Sequence, residues 1–467
     1  MILNESENKM WKKSKRLLLL FLLSVVLFGC SNNESSNNDQ GSETDSESNG
    51  ESEVLDIAVF EGAYGSDYWT AVADKFMEDN PEIQINIESN PKIGDLIRPK
   101  IVAGNPPDLI YLNAADPSGV TQGLIDEKGI EEITDLFDRE VPGEDVTIKE
   151  KLIDGALKSK FMAPYGDGKV YLAPYNYNLM GLWYNKKLFE NEGLSIPETW
   201  DEFFSYTDVG EENDRALFTY QGIHPGYLEE IIVPAIYDRG GQKSLDQFLN
   251  YDPEFWKTDV ALDVLSIFEQ ISSTENGLME GTIALNHTQS QTSFMQGDAM
   301  FIPNGNWFET EMEDAPTEDP FEFGFMGVPS FESGNTLTAQ TSIEQIYIPK
   351  NSDNKELAKD FLAYLYTDES IILNGEKAHG AMAVNGAVEL VEDYITTSSY
   401  NAYKQAEEGE IYPVSSSFAA LPSGSNININ DEVYKPAVEV LSGDSTAQEW
   451  ADKLYEIYLQ IQEDMED

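Results

Sequence analysis

The chain has 467 residues, with 85 acidic side chains against 29 basic ones and a net charge of −56 at neutral pH. Such a surface repels nucleic acid and anionic membranes and so excludes them as partners; it suits a saline or alkaline exterior, where ions screen mutual repulsion. The single cysteine, Cys30, excludes a disulfide framework and a thiolate metal site.

The amino terminus places the protein outside the cell. "WKKSKRLLLLFLLSVVLFGC" carries a basic region (Lys12, Lys13, Lys15, Arg16), an apolar stretch from Leu17 to Phe28 and a small residue before Cys30. That is the layout of a secretory signal, here residues 1–29. Its apolar stretch, 12 residues long, falls short of the ~20 that a membrane-spanning helix needs. The acidic lead-in with Glu5 and Glu7 points to Met10 as the translational start. Residues 31 to 53 hold no aromatic or aliphatic side chain, so this acidic segment cannot offset its ordering entropy and reads as a disordered tether, residues 30–53 with the cysteine.

The rest of the chain, about 400 residues, exceeds one ordinary core and predicts two domains of about 200 residues each. Val54 to Phe60 reads as a strand, Tyr68 to Glu78 as a helix, "IQINIE" (83–88) as an alternating strand, Leu96 to Val102 as a helix and "PPDLIYLN" as a short buried strand ending at Asn113. This order implies a parallel sheet with right-handed crossovers. "YGDGKVYLAPY" (165–175) carries an Asp-Gly pair between extended segments and predicts a hairpin. "LMGLWYNKKLFENEG" reads as strand then helix, and Thr199 with Glu202 three residues on reads as a helix N-cap. "RALFTY" is strand-like, more helical sequence runs to about Phe294, and Ala299 to Ile302 is a fully buried strand.

That last strand ends in Pro303-Asn304-Gly305-Asn306-Trp307, two amides and a large aromatic at the strand end where open α/β sheets bind ligands. A sugar ring has polar rims and apolar C–H faces, so its site needs an aromatic plate edged by amides or carboxylates. Trp307 can supply the plate and Asn304 and Asn306 the amides, the plain alternative being a tryptophan that caps the sheet as core. Other loops meet the same criterion. They offer Tyr64 and Tyr68 after the first strand, with Trp69 beneath the helix. Asn113 and Asp116 follow "DLIYL", where they can equally form a turn. Tyr175, Asn176 and Tyr177 follow the Asp-Gly segment, and His224 and Tyr227 lie in "HPGY", where the histidine can equally be structural. Glu344, and more weakly Gln340, lie in "LTAQTSIEQIYIP".

Six stretches together resemble the extracellular solute-binding lipoproteins of bacterial carbohydrate ABC importers. They are "GNPPDLIYLN" (104–113), "GDGKVYLAPY" (166–175), "LWYNKKLFENEG" (182–193), "IPETWDEF" (196–203), "QGDAMFIPNGNW" (296–307) and "NKELAKDFLAYLYTDES" (354–370), in the family's order. "LFGC" at 27–30 resembles the lipobox whose cysteine is lipidated, with Phe28 bulkier than usual. The resemblance implies a type II periplasmic-binding-protein-like α/β fold of two lobes, joined by strands that cross more than once, with the ligand cleft between them. Lobe I would comprise 54–172 with 336–383, and lobe II 173–335 with 384–467. It also implies a monomer without cofactor or metal, tied to the outer face of the cytoplasmic membrane only through lipid on Cys30, that delivers a sugar or oligosaccharide to permease subunits. A tryptophan in the Asn-Gly-x-Trp setting stacks on ligand in that family, the "HPGY" loop is a usual sugar contact, and a C-terminal aromatic, here Phe418, often enters the cleft. "NHTQSQTSFMQGDAMFIPNGNWFETEM" (286–312) is most similar to the branch associated with N-acetylglucosamine or chitobiose, although Gln289 and Gln291 can simply pack.

Two other function classes are weighed against this one. An enzyme finds no support in a zinc motif, a nucleophile elbow or a P-loop, although a secreted glycosidase needs only two placed carboxylates. A binder of another solute, such as a polyamine, would show an acidic cleft without aromatic plates.

Overall fold

The computed structural model describes residues 53–466 except 63, 115, 420, 423, 424 and 426, so the signal, Cys30 and the tether up to residue 52 lie outside the described residues. Glu51–Asp467 packs as a unit of its own. Nine strands form one sheet: β1 (Glu53–Phe60), β2 (Ile83–Asn90), β3 (Leu109–Tyr111), β4 (Leu172–Asn185), β5 (Ala216–Phe218), β6 (Ala299–Gly305), β7 (Phe323–Met326), β8 (Leu337–Tyr347) and β9 (Ile411–Ser415). The order is β2-β1-β3-β8-β4-β6-β5, with β7 beside β4 and β9 beside β8.

Each end of this sheet is a parallel α/β unit. β1 pairs in parallel with β2 and β3, as the alternation of strand and helix predicts, and β5 pairs in parallel with β6. The centre is antiparallel, with β8 against β3 and β4, and β4 against β6 and β7. β4 spans 14 residues and buries all but Tyr177. Its register against β8 shifts between Pro174 and Tyr177, where proline removes a ladder donor and a bulge redirects the chain.

The expected hairpin at 165–175 does not form. Residues before Leu172 are turns; the Asp167 carboxylate accepts Lys169 N at 3.0 Å and Tyr171 Oη at 2.8 Å, closing a local loop instead of pairing two strands. Thr199 caps its helix as predicted, accepting Glu202 N at 3.2 Å, while Glu202 reaches Glu198 N. Gln289 closes a capping box with Asn286 at the start of His287–Met295. β6 runs on through Asn304 to Gly305, beyond the expected end at Ile302, and buries every residue.

Two hydrophobic cores flank the sheet. The first gathers β1, β3 and helices Asp67–Asp79 and Lys355–Leu365; in the latter Leu357, Ala358, Phe361, Leu362 and Leu365 form the buried stripe. The second gathers helices Glu229–Leu249, Asp259–Ser273 and residues up to Ile461 of Ala447–Glu466. Successive residues of a strand point to opposite faces, so Leu182 and Tyr184 enter the second core while Trp183 enters the first, and Phe301 and Ile302 divide likewise. The first core also takes Trp183, Phe294, Phe308 and Phe325, and residues from Val384 to Ile411, from segments that the sequence assigns to lobe II.

Candidate functional site

β4, β6 and β8 carry polar and aromatic side chains to the zone between the cores, where they form two neighbouring groups. The first surrounds Glu344 on β8. Tyr111 donates its phenol to Glu344 Oε2 at 2.6 Å, and Tyr64 donates to Asn178 Oδ1, whose amide lies 3.5 Å from Ser342 Oγ. Burial pushes the Glu344 carboxyl up to about 7, opposed by hydrogen bonds from Tyr111 and Asn113. Tyr177 is half-buried, its ring 5.8 Å from that of Tyr403, which donates to Tyr177 O at 2.6 Å. Tyr403 in turn accepts Asn306 Nδ2 at 2.7 Å.

The second group surrounds the end of β6. Asn304 uses Oδ1 to accept Gly305 N at 2.9 Å, and its buried Nδ2 has no partner. Gln221 donates to Pro303 O at 2.8 Å and leaves Oε1 buried and unpartnered. Gln340 on β8 donates to Glu229 Oε1 at 2.7 Å and likewise leaves Oε1 free. Glu230, beside Glu229 at the start of helix Glu229–Leu249, is 5% exposed and has an unpartnered Oε2. Burial, then the neighbouring Glu229, hold the Glu230 carboxyl well above the usual range. Tyr227 is half-buried, its phenol raised by burial and then by Glu230 and Glu311. Buried polar atoms are nearly always bonded, so these open valences can be satisfied by a polar ligand.

Trp307 follows the end of β6. It is half-buried and belongs to neither core. Its indole lies across Gly305, where a Cβ would come within 2.2 Å of the ring. A side chain at 305 would therefore displace the plate, which explains the glycine.

The residues singled out from sequence divide. Tyr64, Asn113, Tyr177, Tyr227, Asn304, Trp307, Gln340 and Glu344 lie in these groups. Tyr68 does not: it is fully buried in the first core, stacked 5.8 Å from Tyr175, which is also fully buried and bonds to Asn374 at 2.6 Å. Asn176 is buried too and accepts Asn374 Nδ2 at 2.8 Å, leaving its own Nδ2 unpartnered. Asn306 is fully engaged, bonding Leu179 N at 3.1 Å through Oδ1 and Tyr403 through Nδ2, so it ties β6 to β4. Asn113 accepts Gln345 N of β8 at 3.1 Å and bonds Glu344, whereas Asp116 accepts Ser118 N at 2.9 Å, the turn-forming alternative. His224 is exposed, its ring 5.6 Å from that of His287; burial and then His287 lower its pKa. Phe418 packs against the second core, stacked 5.8 Å from Tyr251 and tilted against Phe248 at 5.0 Å. Gln291 bonds Glu311 at 3.0 Å.

Gln221, Glu229, Glu230 and Tyr403 were not singled out. Gln221 lies three residues before the "HPGY" loop, but two glutamates in a first helical turn read as ordinary dipole complements. Two surface grooves, of about 410 and 380 Å³, lie elsewhere: one is walled by Trp200, Arg239 and Phe331, the other by Met312, His379 and Tyr394. Among the described residues no cluster of three or more acidic, histidine or cysteine side chains is arranged to hold a metal ion, and no helix is long and apolar enough to cross a membrane.

A two-core α/β sheet with unsatisfied polar groups and an uncommitted aromatic at the ends of its shared strands defines a binding protein with two lobes. Residues 62–371 match the bacterial extracellular solute-binding proteins, and the chain belongs to that family. It is 24% identical over 369 residues to the diacetylchitobiose binding protein NgcE of Streptomyces coelicolor, covering 76% of this chain and 74% of that one. It is 22% identical over 389 residues to the multiple sugar-binding protein of Streptococcus mutans, covering 82% and 84%. Among solved structures, the apo-form of RafE from Streptococcus pneumoniae superposes with a TM-score of 0.69 at 19% identity, over 88% of this chain and 98% of that one.

Proposed function

We propose that this protein captures a sugar or oligosaccharide in the zone between its two cores and presents it to the permease of an ABC importer. The observation that carries this reading is the unpartnered amide of Asn304 next to Gly305, over which the indole of Trp307 lies, together with unpartnered atoms on Gln221, which bonds Pro303 O, and on Gln340 and Glu230. Hydroxyls both donate and accept, and a pyranose face is apolar, so a saccharide satisfies the amides and the indole together. Micromolar capture requires about −8 kcal/mol, more than one aromatic contact of about 0.5–1.5 kcal/mol supplies. The polar wall and closure of the lobes supply the remainder, and closure is the signal that the permease reads. The relatives named for diacetylchitobiose and for multiple sugars support this ligand class, and diacetylchitobiose is the first candidate. In this reading the chain is a monomer, anchored outside the cell through lipid on Cys30, that releases its ligand chemically unchanged.

A cationic solute is the second reading, favoured by the presence of three carboxyl groups, Glu229, Glu230 and Glu344, in the two groups. Thermal unfolding of residues 51–467 against N-acetylglucosamine, diacetylchitobiose, maltose, xylobiose and spermidine separates the two. A ligand at 100 times its dissociation constant adds about 2.7 kcal/mol. A midpoint rise with a sugar that Trp307→Ala abolishes supports the first reading, whereas a rise with spermidine alone supports the second.

A further inference from the structure

We propose that Glu230, with Gln221, Gln340 and Asn304, forms a hydrogen-bonding wall that admits uncharged saccharides and rejects acidic ones. The proposal rests on the saccharide reading above and narrows its ligand class.

The four side chains are held from three elements. Gln221 is fixed to Pro303 O at the end of β6, the strand that carries Asn304. Gln340 comes from β8 and is fixed to Glu229, which also accepts Ser416 Oγ at 3.0 Å. Glu230 follows Glu229 at the start of its helix. Each is 6% exposed or less, so a ligand group that meets them leaves water behind.

What remains open on the wall is one amide donor, Asn304 Nδ2, two amide acceptors, Gln221 Oε1 and Gln340 Oε1, and one carboxyl oxygen, Glu230 Oε2. Among the described residues, no lysine or arginine bonds to any of these groups or ranks among the charges that shift Glu229, Glu230, Tyr227 or Glu344. The ionisable neighbours that do are Glu229, Glu230, Glu311 and Tyr111. A uronate or other acidic sugar would bring a carboxylate out of water into this zone without a counterion, next to carboxyl groups, and a buried unpaired charge is strongly unfavourable. A neutral sugar brings hydroxyls that match the open valences one by one. Glu230 then serves as a bonding partner whose shape and polarity matter and whose negative charge does not.

The test is isothermal titration of residues 51–467, which form a unit of their own. Diacetylchitobiose, xylobiose, maltose and raffinose are titrated alongside digalacturonate and a glucuronic-acid-bearing xylobiose. The expected result is that at least one neutral sugar binds and that every acidic sugar binds at least 100-fold more weakly than the best neutral one. Glu230→Gln, which keeps a donor and an acceptor, should stay within threefold of wild type for that neutral sugar, while Glu230→Leu should lose at least tenfold with its unfolding midpoint maintained. An acidic sugar bound within tenfold of the best neutral one overturns the inference and leaves the saccharide reading intact. So does Glu230→Gln losing as much as Glu230→Leu, which would mean that the negative charge is needed. Absence of binding by every sugar removes the saccharide reading and this inference with it.

Discussion

Replacing Glu344 by glutamine should stabilise the protein at alkaline pH and leave it nearly unchanged in acid. The Glu344 carboxyl is pushed from 4.5 up to about 7 by burial. The folded state therefore holds that proton more tightly than the unfolded chain, and the stability this contributes is complete below about 4.5, declines as pH rises toward 7 and is gone above it. The gap corresponds to about 3 kcal/mol. Glu344 is only half-buried, and residual solvation lowers the expected gain to about 1–3 kcal/mol. Glutamine cannot ionise, yet its carbonyl still accepts the Tyr111 phenol that now donates at 2.6 Å. Urea unfolding of wild type and Glu344→Gln at pH 4.5 and pH 8 gives the comparison as a free-energy difference at each pH. The reasoning holds if the variant gains at pH 8 and not at pH 4.5. It fails if the difference is the same at both, or if the variant loses stability at pH 8, because the ionised carboxylate would then contribute more through its two hydrogen bonds than burial costs.

Trp307→Ala should weaken saccharide binding by at least tenfold in titration while changing unfolding free energy by under about 1 kcal/mol, since the ring belongs to neither core. Phe418→Ala should do the reverse, costing about 2 kcal/mol in denaturant unfolding because the ring stacks on Tyr251 and packs against Phe248, with affinity within threefold of wild type. Raising sodium chloride from ~0.1 to ~1 M shortens the screening length from about 10 to about 3 Å, so a chain with a net charge of −56 should melt at a clearly higher temperature in differential scanning calorimetry.

Much of the scaffold was legible because it is written locally. Alternation marks β2, an unbroken apolar run marks β6, and Thr199 with Glu202 marks a helix start. The Asp-Gly pair at 167–168 misled because its turn is closed by Asp167 itself rather than by a strand partner. For the site, sequence identified the loops and erred on which side chains in them are free. Tyr64 and Tyr68 both follow β1, but Tyr68, Trp69, Val72, Ala73 and Phe76 share the buried stripe of one helix, a periodicity that could have separated them. Asn306 looked equivalent to Asn304, and only the distant pairing of β6 with β4 shows that Leu179 and Tyr403 already occupy its amide. Glu230 gave no signal at all. Its role depends on burial imposed by segments far away in the chain, which no local pattern records.

The most direct test of the account is a crystal structure of residues 51–467 with the tightest saccharide from the titrations. The account predicts a sugar ring lying on the Trp307 indole, with its hydroxyls bonded to Asn304 Nδ2, Gln221 Oε1 and Glu230. A saccharide seated instead in the groove walled by Trp200, Arg239 and Phe331, with Trp307 and the polar wall left untouched, would contradict it.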